Sequence, residues 1–451
     1  MKAHVLLAAV VAAPLAASFA PVSAAETVLT GPAAYGDYTS DAPGVTRHLT
    51  ADTIPAPFAT GSTRNNPKLV KRAEGALPKV PAGFTVSVFA TGLLGPRHMA
   101  LAPNGDVFIA ESNGGKISVM RPKAGGVGSD VTVFADGFNQ PFGIAFFPQK
   151  NPKWVYISNT DSVVRYPYKA GDTKASGPAE TVIAKIPGGG GHWTRDLTFS
   201  PDGSKLFIAV GSGSNVAETM PKKNPDEVKK WEAEYGRGAG WADETYRAVV
   251  LSATPEGKNM KIYATGIRNC SGLTTNPLNG DLWCSTNERD LLGDNLVPDY
   301  STRVKAGQFY GWPWYYLGAH EDPRHAGERP DLIKDVSVPD VLYQSHSAPL
   351  QMAFYGASAG ASAFPKDFSG DAFVALHGSW NRSKRTGYKV VRVHMKNGTP
   401  TGEYTDFLTG FVNSDADVWG RPVGVLEAQD GSLLVSDDGG NVVWRVAHTS
   451  K

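Results

Sequence analysis

The chain has 451 residues, and its 44 basic and 43 acidic residues give it a formal net charge of +1. This balance argues against the concentrated basic face that a nucleic-acid or polyanion partner requires. Glycine and proline are abundant, with 50 and 32 residues, which suits a turn-rich all-β chain. The length suggests two or three ordinary domains, but radial repeats can extend one domain beyond that range.

Residues 1–24 have the order of a secretory signal peptide. A basic start precedes an apolar run over residues 5–20, and Val22-Ser23-Ala24 supplies small residues before the cleavage site. The alternative is a retained membrane anchor, but the apolar run is short for a bilayer span. We therefore expect a periplasmic or secreted protein with no membrane span after cleavage. Residues 25–80 are predicted to form an extended N-terminal arm with little regular structure.

One cassette recurs along the rest of the chain: a polar corner, an apolar strand, a turn, a second apolar strand and another polar corner. Its six copies begin near Pro96, Pro141, Thr194, Ser271, Pro349 and Pro422. These copies predict an all-β fold, a six-bladed β-propeller of four-stranded antiparallel blades over residues 81–451.

The third copy is followed by more residues than a blade needs, and residues 216–247, approximately, are predicted to be an insertion. Within it, Asn224 precedes residues 225–235, whose charges and helix formers predict a short surface helix that Gly236 ends. Such loops often line the mouth of a propeller, although a solvated decoration agrees equally well with the sequence.

Cys270 and Cys284 are the only two cysteines, and no haem-attachment motif is present. An exported chain permits a disulfide between them. Pairing outward from a turn at residues 277–280 places Cys284 opposite Leu273 rather than Cys270, so the bridge requires a β-bulge. The sequence leaves bridged and free thiols both open.

In an antiparallel hairpin the start of the first strand and the end of the second lie at the same end, so the polar corners should meet on one face. Histidines and arginines from separate blades come together there, among them Arg97, His98, His192, Arg268, His346, His377 and Arg421. One such histidine is more often a hydrogen-bonding strut than a catalyst, but several buried cations need an anionic partner. The corners therefore predict a central pocket for an anionic ligand.

In the same region the chain carries, in order, Gly191-His192, LTFSPDG at 197–203, GIRN at 266–269, NERD at 287–290 with Gly293-Asp294, YGWP at 310–313, HGSWNR at 377–382 and GRP at 420–422. Together these motifs resemble those of the L-sorbosone and soluble aldose sugar dehydrogenases, and the resemblance covers roughly residues 83–446. That family is a six-bladed propeller that uses pyrroloquinoline quinone (PQQ) and Ca²⁺. The resemblance therefore implies both cofactors.

The resemblance implies that His192 contacts the quinone and is the general base that takes the hydroxyl proton of the sugar, a task that suits a neutral imidazole. Arg268 matches the cation beside the quinone oxygen that gains charge as hydride arrives. The alternative for Arg268 is an ordinary pair with a carboxylate. The quinone has three carboxylates, which need cations and amide donors. The matching cofactor-binding residues are Asn269, Asn287, Arg382 and Arg421.

By the same resemblance, the backbone carbonyls of Glu288 and Arg289 would hold calcium against the quinone. A cofactor contact of His377 stays open, because the calcium-linked glucose dehydrogenases have a lysine at that position. A contact of Arg385 also stays open, and residues 383–386 are interpreted as a solvated hairpin tip.

Aromatic residues concentrate at residues 310–316, and this run is interpreted as structural, since Trp and Tyr also fill propeller cores. His346 and Trp380 are candidate walls of the pocket.

These features predict an exported dehydrogenase that oxidises an aldose or a sorbosone-like sugar aldehyde to lactone or acid by hydride transfer to PQQ. Without a haem motif, electrons would pass to an external acceptor, a quinone or a cytochrome. Two alternatives stay open. A calcium-dependent propeller lactonase would share the fold but would not need several carboxylate-binding arginines. A non-catalytic ligand-binding propeller would not need His192 together with Arg268 and Asn269.

Overall fold

Six antiparallel sheets arranged in a ring form the body of the molecule. A computed structural model describes residues 27–356 and 360–449, so the predicted signal peptide at residues 1–24 lies outside the described residues. The innermost strands of consecutive sheets contact one another, and the last contacts the first, which closes the circle. The prediction of an all-β, six-bladed propeller is confirmed.

Each blade has four strands, named here from the axis outward. Blades 1 to 3 consist of Pro96–Leu101, Val107–Glu111, Lys116–Pro122 and Ser129–Asp136; Ile144–Phe147, Trp154–Ser158, Val163–Pro167 and Glu180–Ile183; and Leu197–Phe199, Leu206–Val210, Val249–Ala253 and Lys261–Thr265. Blades 4 to 6 consist of Cys270–Thr275, Leu282–Thr286, Tyr300–Arg303 and Val341–Leu342; Pro349–Phe354, Ala372–Leu376, Lys389–Lys396 and Thr399–Leu408; and Pro422–Glu427, Leu433–Asp437, Val442–His448 and Phe84–Ala90. Most second strands are buried along their whole length because neighbouring blades cover both faces.

The ring is closed by a strand from the N-terminal part of the chain. Phe84–Ala90 is the outermost strand of blade 6 and pairs antiparallel with Val442–His448. The Phe84 ring makes edge contacts with Phe364 and Phe407 of blade 5, at centroid distances of 4.8 and 5.2 Å. Blade 6 is therefore assembled from both ends of the described chain.

The N-terminal arm is more regular than the sequence predicts. Its strands Val28–Thr30 and Thr46–His48 extend blade 5, where Thr46–His48 pairs with the outer strand Thr399–Leu408. Covering that strand satisfies backbone groups that an exposed edge would leave unpaired. The arm also contains the 3-10 helices Gly31–Tyr35, Tyr38–Ser40 and Ala51–Thr53, and the strand Lys68–Leu69, which pairs with Asp417–Val418.

A buried group of charges fixes the arm to blade 5. Arg47 lies 2.9 Å from both Asp41 and Asp406, and Lys389 lies 2.7 and 2.8 Å from the same two carboxylates. All four side chains are at most 6% exposed. We call these four residues the closed charge cluster, because each charge in it has two opposite charges as neighbours.

The predicted insertion lies between the second and third strands of blade 3. Its helix, Pro225–Tyr235, begins after Asn224, which forms a reciprocal capping box with Glu227, and ends at Gly236 with φ 96°. The remaining short elements are the 3-10 helices Ala124–Gly126, Ala242–Glu244, Pro330–Leu332 and Lys366–Phe368, and a hairpin of Tyr315–Tyr316 with His320–Glu321. Across the described residues, no helix has both the length and the apolar character needed to cross a bilayer.

Cys270 and Cys284 form a disulfide, with their Cα atoms 5.7 Å apart. Cys284 pairs in register with Leu273, and the register shifts between Cys270 and Gly272. The bulge that the bridge requires is therefore present. The disulfide joins the first two strands of blade 4 at the end where the first strand begins and the second strand ends, next to the polar corners.

Candidate active site

A cavity of about 640 Å³ opens at the end of the ring where the first strands begin and the second strands end. The predicted site residues that line it are His192, Arg268, Asn269, Asn287, Glu288 and Arg421, and the candidates left open that line it are His346, His377 and Trp380. The polar corners thus meet as the hairpin geometry predicts. The aromatic run at residues 310–316 is buried outside the lining, which agrees with its structural interpretation.

His192 lies in the loop that leads into the first strand of blade 3. Its Nδ1 is 3.0 Å from the carbonyl oxygen of Ser212 and 2.9 Å from the Ser212 hydroxyl. Because a carbonyl only accepts, Nδ1 carries the proton and Nε2 keeps its lone pair. Burial and the charge of Arg268 lower the His192 pKa to about 3. The imidazole is therefore neutral near pH 7, with Nε2 unprotonated.

Arg268 is only 4% exposed, and its guanidinium donates hydrogen bonds in several directions. Nε and Nη2 donate to the carbonyl and side-chain oxygens of Asn215, both at 2.9 Å, and Nη2 also donates to Asp290 at 3.2 Å. Nη1 donates to the carbonyls of Asn287 and Glu288, at 3.2 and 2.6 Å. Mostly neutral acceptors hold this cation, so much of its charge stays available to the cavity.

Asn269 and Asn287 form a pair of amides beside His192. Asn269 Nδ2 donates to Asn287 Oδ1 at 3.2 Å, and Asn287 Nδ2 donates to the Pro349 carbonyl at 2.7 Å. Gly211 permits this packing, since a Cβ there would lie 2.3 Å from Asn269 Oδ1 and 2.7 Å from His192 Cβ. Asn269 Oδ1 is buried and accepts no hydrogen bond from the described residues. A buried acceptor without a donor indicates a place where a ligand N–H would bind.

His377 links the corners of blades 5 and 6. Its Nε2 donates to Asp438 at 2.8 Å, and its Nδ1 accepts from Arg421 at 3.0 Å. Burial and the charge of Arg421 lower the His377 pKa to about 4. Asp438 is also paired with Arg97. Within residues 27–356 and 360–449, the Arg421 guanidinium therefore has no carboxylate partner.

Three carboxylates of blade 4 line the cavity in different states. Asp290 contacts Arg268 at 3.2 Å and His346 at 3.4 Å. Burial disfavours both charged forms, but the Asp290–His346 contact outweighs it, so the pKa of Asp290 is lowered and that of His346 is raised. Burial raises the pKa of Glu288 to about 7 and that of Asp299 to about 6. Neither forms an ion pair with a described residue.

Two of the predicted site residues, Arg289 and Arg382, are not among the residues that line this cavity, and their side chains have partners elsewhere. Arg289 forms an ion pair with Asp322 at 2.8 Å. Arg382 donates to the Tyr35 carbonyl at 2.9 Å and to Asn295 Oδ1 at 2.7 Å, in contact with the N-terminal arm. The structure therefore does not bring the Arg382 side chain together with the other predicted cofactor-binding residues.

The interpretation of residues 383–386 as a solvated hairpin tip is wrong for Arg385. Its side chain is fully buried and donates to the carbonyls of Asn65, Asn66 and Ala416. The arm covers this hairpin and supplies backbone acceptors that replace water around the guanidinium. Arg385 is not part of the cavity lining.

Four further residues line the cavity without having been predicted from the sequence: Arg64, Glu218, Leu291 and Asp299. Arg64 comes from the arm and Glu218 from the insertion, where no repeat pattern assigns a position. Asp299 directly precedes the third strand of blade 4. Third strands begin at the end where second strands finish, so the starts of third strands carried a usable signal.

Calcium meets a constrained set of donors. The resemblance implies main-chain carbonyls as ligands, and the described part of the chain holds no cluster of three or more His, Cys, Asp or Glu side chains arranged for a metal ion. The Glu288 carbonyl already accepts a hydrogen bond from Arg268 at 2.6 Å. One lone pair of that oxygen remains for calcium, and the ion would lie near the positive charge of Arg268. The donors fit calcium if the Glu288 carboxyl ionises with it.

A planar, anionic quinone fits the donors more readily. Arg421 can offer N–H groups to a carboxylate, Asn269 offers an unpartnered acceptor, and Arg268 supplies a fixed cation. The volume of about 640 Å³ lies within the range of small-molecule sites.

Comparisons with known proteins agree with the motif resemblance. An uncharacterized protein of Borreliella burgdorferi is 28% identical over 382 residues, which cover 82% of this chain and 90% of that protein. Quinoprotein glucose dehydrogenase B of Acinetobacter calcoaceticus is 27% identical over 290 residues, which cover 57% of this chain and 58% of that enzyme. The resemblance to quinone-dependent sugar dehydrogenases is thus confirmed.

The fold has a close counterpart among solved structures. The holo form of the PQQ domain of a pyranose dehydrogenase from Coprinopsis cinerea matches 84% of this chain and 99% of that domain, with a TM-score of 0.64 and 20% identity. The sequence profile described as TrAA12-like matches residues 78–305 and 332–449. This match includes every predicted site residue and most of the chain, and the chain therefore belongs to the TrAA12-like family.

Proposed function

We propose that this protein is an exported quinoprotein dehydrogenase that oxidises an aldose or a sorbosone-like sugar aldehyde to lactone or acid. The observation that carries the proposal is the combination of His192, neutral with Nε2 unprotonated, and the fixed cation Arg268 on one cavity. The similarity to a quinoprotein glucose dehydrogenase and to the PQQ domain of a pyranose dehydrogenase supports the substrate class and the cofactor.

In this proposal His192 Nε2 accepts the proton of the hydroxyl group on the carbon that is oxidised. The Ser212 carbonyl holds the proton on Nδ1 and so fixes both tautomer and ring orientation. A pKa of about 3 describes a weak base, and anionic groups bound near Arg268 would offset the cation and raise it. Loading of the site would therefore bring the base closer to its working range.

When bound, the quinone would take the hydride from the sugar carbon. Arg268 would stabilise the negative charge that grows during that transfer, because its guanidinium is already oriented. Arg421 would pair with a carboxylate of the cofactor, and the amides of Asn269 and Asn287 would supply further polar contacts. For Arg382, a cofactor contact would require a different position, and we infer that it holds the arm instead.

We further propose a calcium site at the carbonyls of Glu288 and Arg289, completed by the ionised Glu288 carboxyl. Calcium bound there would act as a Lewis acid on the quinone. Electrons would leave to an external quinone or cytochrome, since the chain has no haem-attachment motif. The signal-like residues 1–24 would direct the protein to the periplasm or the medium.

The test is reconstitution of the apo-protein with PQQ and calcium, added separately and together. Quinone binding is followed by absorbance, and oxidation of a panel of aldoses and sugar aldehydes is followed with a dye acceptor. We expect oxidation only after PQQ is added, with a further increase from calcium. No quinone binding, together with calcium-dependent lactone hydrolysis, would instead establish the lactonase.

A further inference from the structure

Residues 58–66 of the arm, here called the mouth segment, cross the loops at the rim of the cavity. Near the start of the segment, Thr60 Oγ1 accepts a hydrogen bond from Asp294 N at 2.7 Å. Gly293 allows this approach, since a Cβ there would lie 2.9 Å from the Thr60 carbonyl oxygen. The segment is thus fixed to the loop that follows the second strand of blade 4.

The mouth segment is also fixed to blade 5. Asn65 N donates to the Trp380 carbonyl at 2.7 Å, and the buried Arg385 donates to both oxygens of Asn65, each at 3.0 Å. Arg64 lies between these two anchored stretches. Its backbone position at the rim is therefore set by contacts on both sides.

Arg64 differs from the other arginines of the cavity. The other three donate hydrogen bonds to a carboxylate or an imidazole of the protein: Arg97, Arg268 and Arg421. Arg64 is exposed, has neither an ion pair nor a hydrogen bond to any other described residue, and packs over Trp380 at 5.7 Å from the ring centroid. A cation–π contact orients a guanidinium without using its N–H groups. The hydrogen-bonding edge of Arg64 is therefore available to a ligand.

We propose that Arg64 is a specificity-determining residue that binds an anionic group, a carboxylate or a phosphate, on the sugar substrate. The inference rests on the proposed sugar oxidation. The planar guanidinium fork matches either anion with two parallel hydrogen bonds. The carbon that is oxidised must approach His192 Nε2, so the anionic group lies elsewhere on the sugar. The preferred substrates are sugar acids or sugar phosphates that keep a free anomeric carbon.

Two observations favour the substrate over the cofactor as the ligand of Arg64. The predicted cofactor ligands Arg268 and Asn269 are 4% and 6% exposed, whereas Arg64 is exposed at the rim, where a ligand exchanged in each cycle first arrives. Arg64 also lies outside residues 78–305 and 332–449, the part of the chain that matches the family. A residue outside the shared region is suited to a feature particular to this chain.

The test compares wild type with Arg64→Gln and Arg64→Lys, using glucuronate, glucose 6-phosphate and glucose as probes. Arg72→Gln is the matched control, because Arg72 is an arm arginine that packs over Trp444 at 5.0 Å and does not line the cavity. We expect the ratio of kcat/KM for each anionic sugar to that for glucose to fall about ten- to a hundredfold in Arg64→Gln. Arg64→Lys should recover more for the phosphate than for the carboxylate.

Calorimetric titration of the same proteins with glucuronate gives a readout that does not depend on turnover. Glucuronate binding that Arg64→Gln weakens and Arg72→Gln does not would establish that Arg64 binds the anionic group, and this result stands apart from the outcome of the PQQ reconstitution. Equal losses for glucuronate and glucose, or weaker PQQ binding in the absorbance titration, would identify a cofactor ligand and overturn the inference. A wild type with no preference for the anionic sugars would overturn it as well.

Discussion

The cavity and the closed charge cluster are both rich in charged side chains, yet they treat charge in opposite ways. In the closed charge cluster Asp41, Arg47, Lys389 and Asp406 are nearly inaccessible, and each contacts two opposite charges. In the cavity Arg64 and Arg421 have no carboxylate partner, and Glu288 has no cationic one, among the described residues. Buried charges are normally kept in balance, as in the closed charge cluster, whereas the exposed Arg64 and the part-buried Arg421 keep their charge for a partner outside the protein. Imbalance beside an open cavity therefore distinguishes a ligand site from a structural ion network.

A substitution of the proposed base His192 should lower the activity and leave the stability, to which the closed charge cluster contributes, unchanged. We expect His192→Ala to lower kcat by about 10²- to 10⁴-fold, because proton transfer loses its acceptor. The measurement is dye-linked sugar oxidation with saturating PQQ, alongside thermal unfolding. His320→Ala is the control, since His320 lies outside the cavity lining. Activity of His192→Ala within tenfold of wild type would remove His192 from the mechanism.

A change in the closed charge cluster should lower the stability of the protein rather than remove a group of the active site. Asp406→Ala leaves Arg47 and Lys389 each without one of two buried partners, and we expect the free energy of unfolding to fall by about 3–5 kcal/mol. Denaturant unfolding followed by tryptophan fluorescence measures this change. Asp417→Ala removes the solvent-accessible contact of Asp417 with Lys68, 4.0 Å long, and should cost less than about 1 kcal/mol. Similar losses of unfolding free energy in Asp406→Ala and Asp417→Ala would show that the closed charge cluster is no more important for stability than a surface ion pair.

The unpaired Glu288 should make stability depend on pH. Burial raises its pKa from 4.5 to about 7. The folded state therefore favours the protonated carboxyl, so this contribution is fully present below pH 4.5 and is lost as pH rises through about 7. In the wild type we expect the free energy of unfolding to fall by up to about 3 kcal/mol between these two pH values because of Glu288. Glu288→Gln should not show this fall.

Unfolding free energies of wild type and Glu288→Gln at pH 5 and pH 8 test this expectation, with the exposed Glu256→Gln as the control. Calcium added at pH 8 should stabilise wild type more than Glu288→Gln if the ion binds beside the ionised carboxyl. An unchanged pH dependence in Glu288→Gln would show that another group titrates.

The smallest effect is expected for the helix of the insertion, which belongs to neither charge group. Asn224→Ala removes one half of its capping box and should lower the unfolding free energy by about 1 kcal/mol. Sugar oxidation should stay at the wild-type level. Sugar oxidation well below the wild-type level in a variant that is still folded would mean that the insertion also influences the cavity.

The parts predicted from the sequence are those with a repeated local signal. Blade starts follow the alternation of turns and apolar strands, and His192, Arg268 and Asn269 follow from their places at strand starts. Counting outward from a turn gives the Cys284–Leu273 register, and with it the need for a bulge if Cys270 and Cys284 are bridged. Each of these inferences uses only neighbours in sequence and the fixed geometry of a hairpin.

The parts that were missed depend on contacts between distant segments. The arm has no repeat, and its contacts with blade 5 bury Arg385 and engage the Arg382 side chain. The same arm supplies Arg64 to the rim. Sequence spacing carries no information on where an irregular segment crosses the surface, so the added strands, the burial of Arg385 and the rim position of Arg64 could not be predicted from it.

The closing strand Phe84–Ala90 has a consequence for how the protein is made. Translation produces Phe84–Ala90 long before its partner Val442–His448. Until then the edge of the early strand stays open, and ring closure requires one of the longest loops in the chain. A nascent polypeptide would therefore remain exposed to misassembly until Val442–His448 emerges. Removing Val442–His448 should cost the circular architecture as a whole.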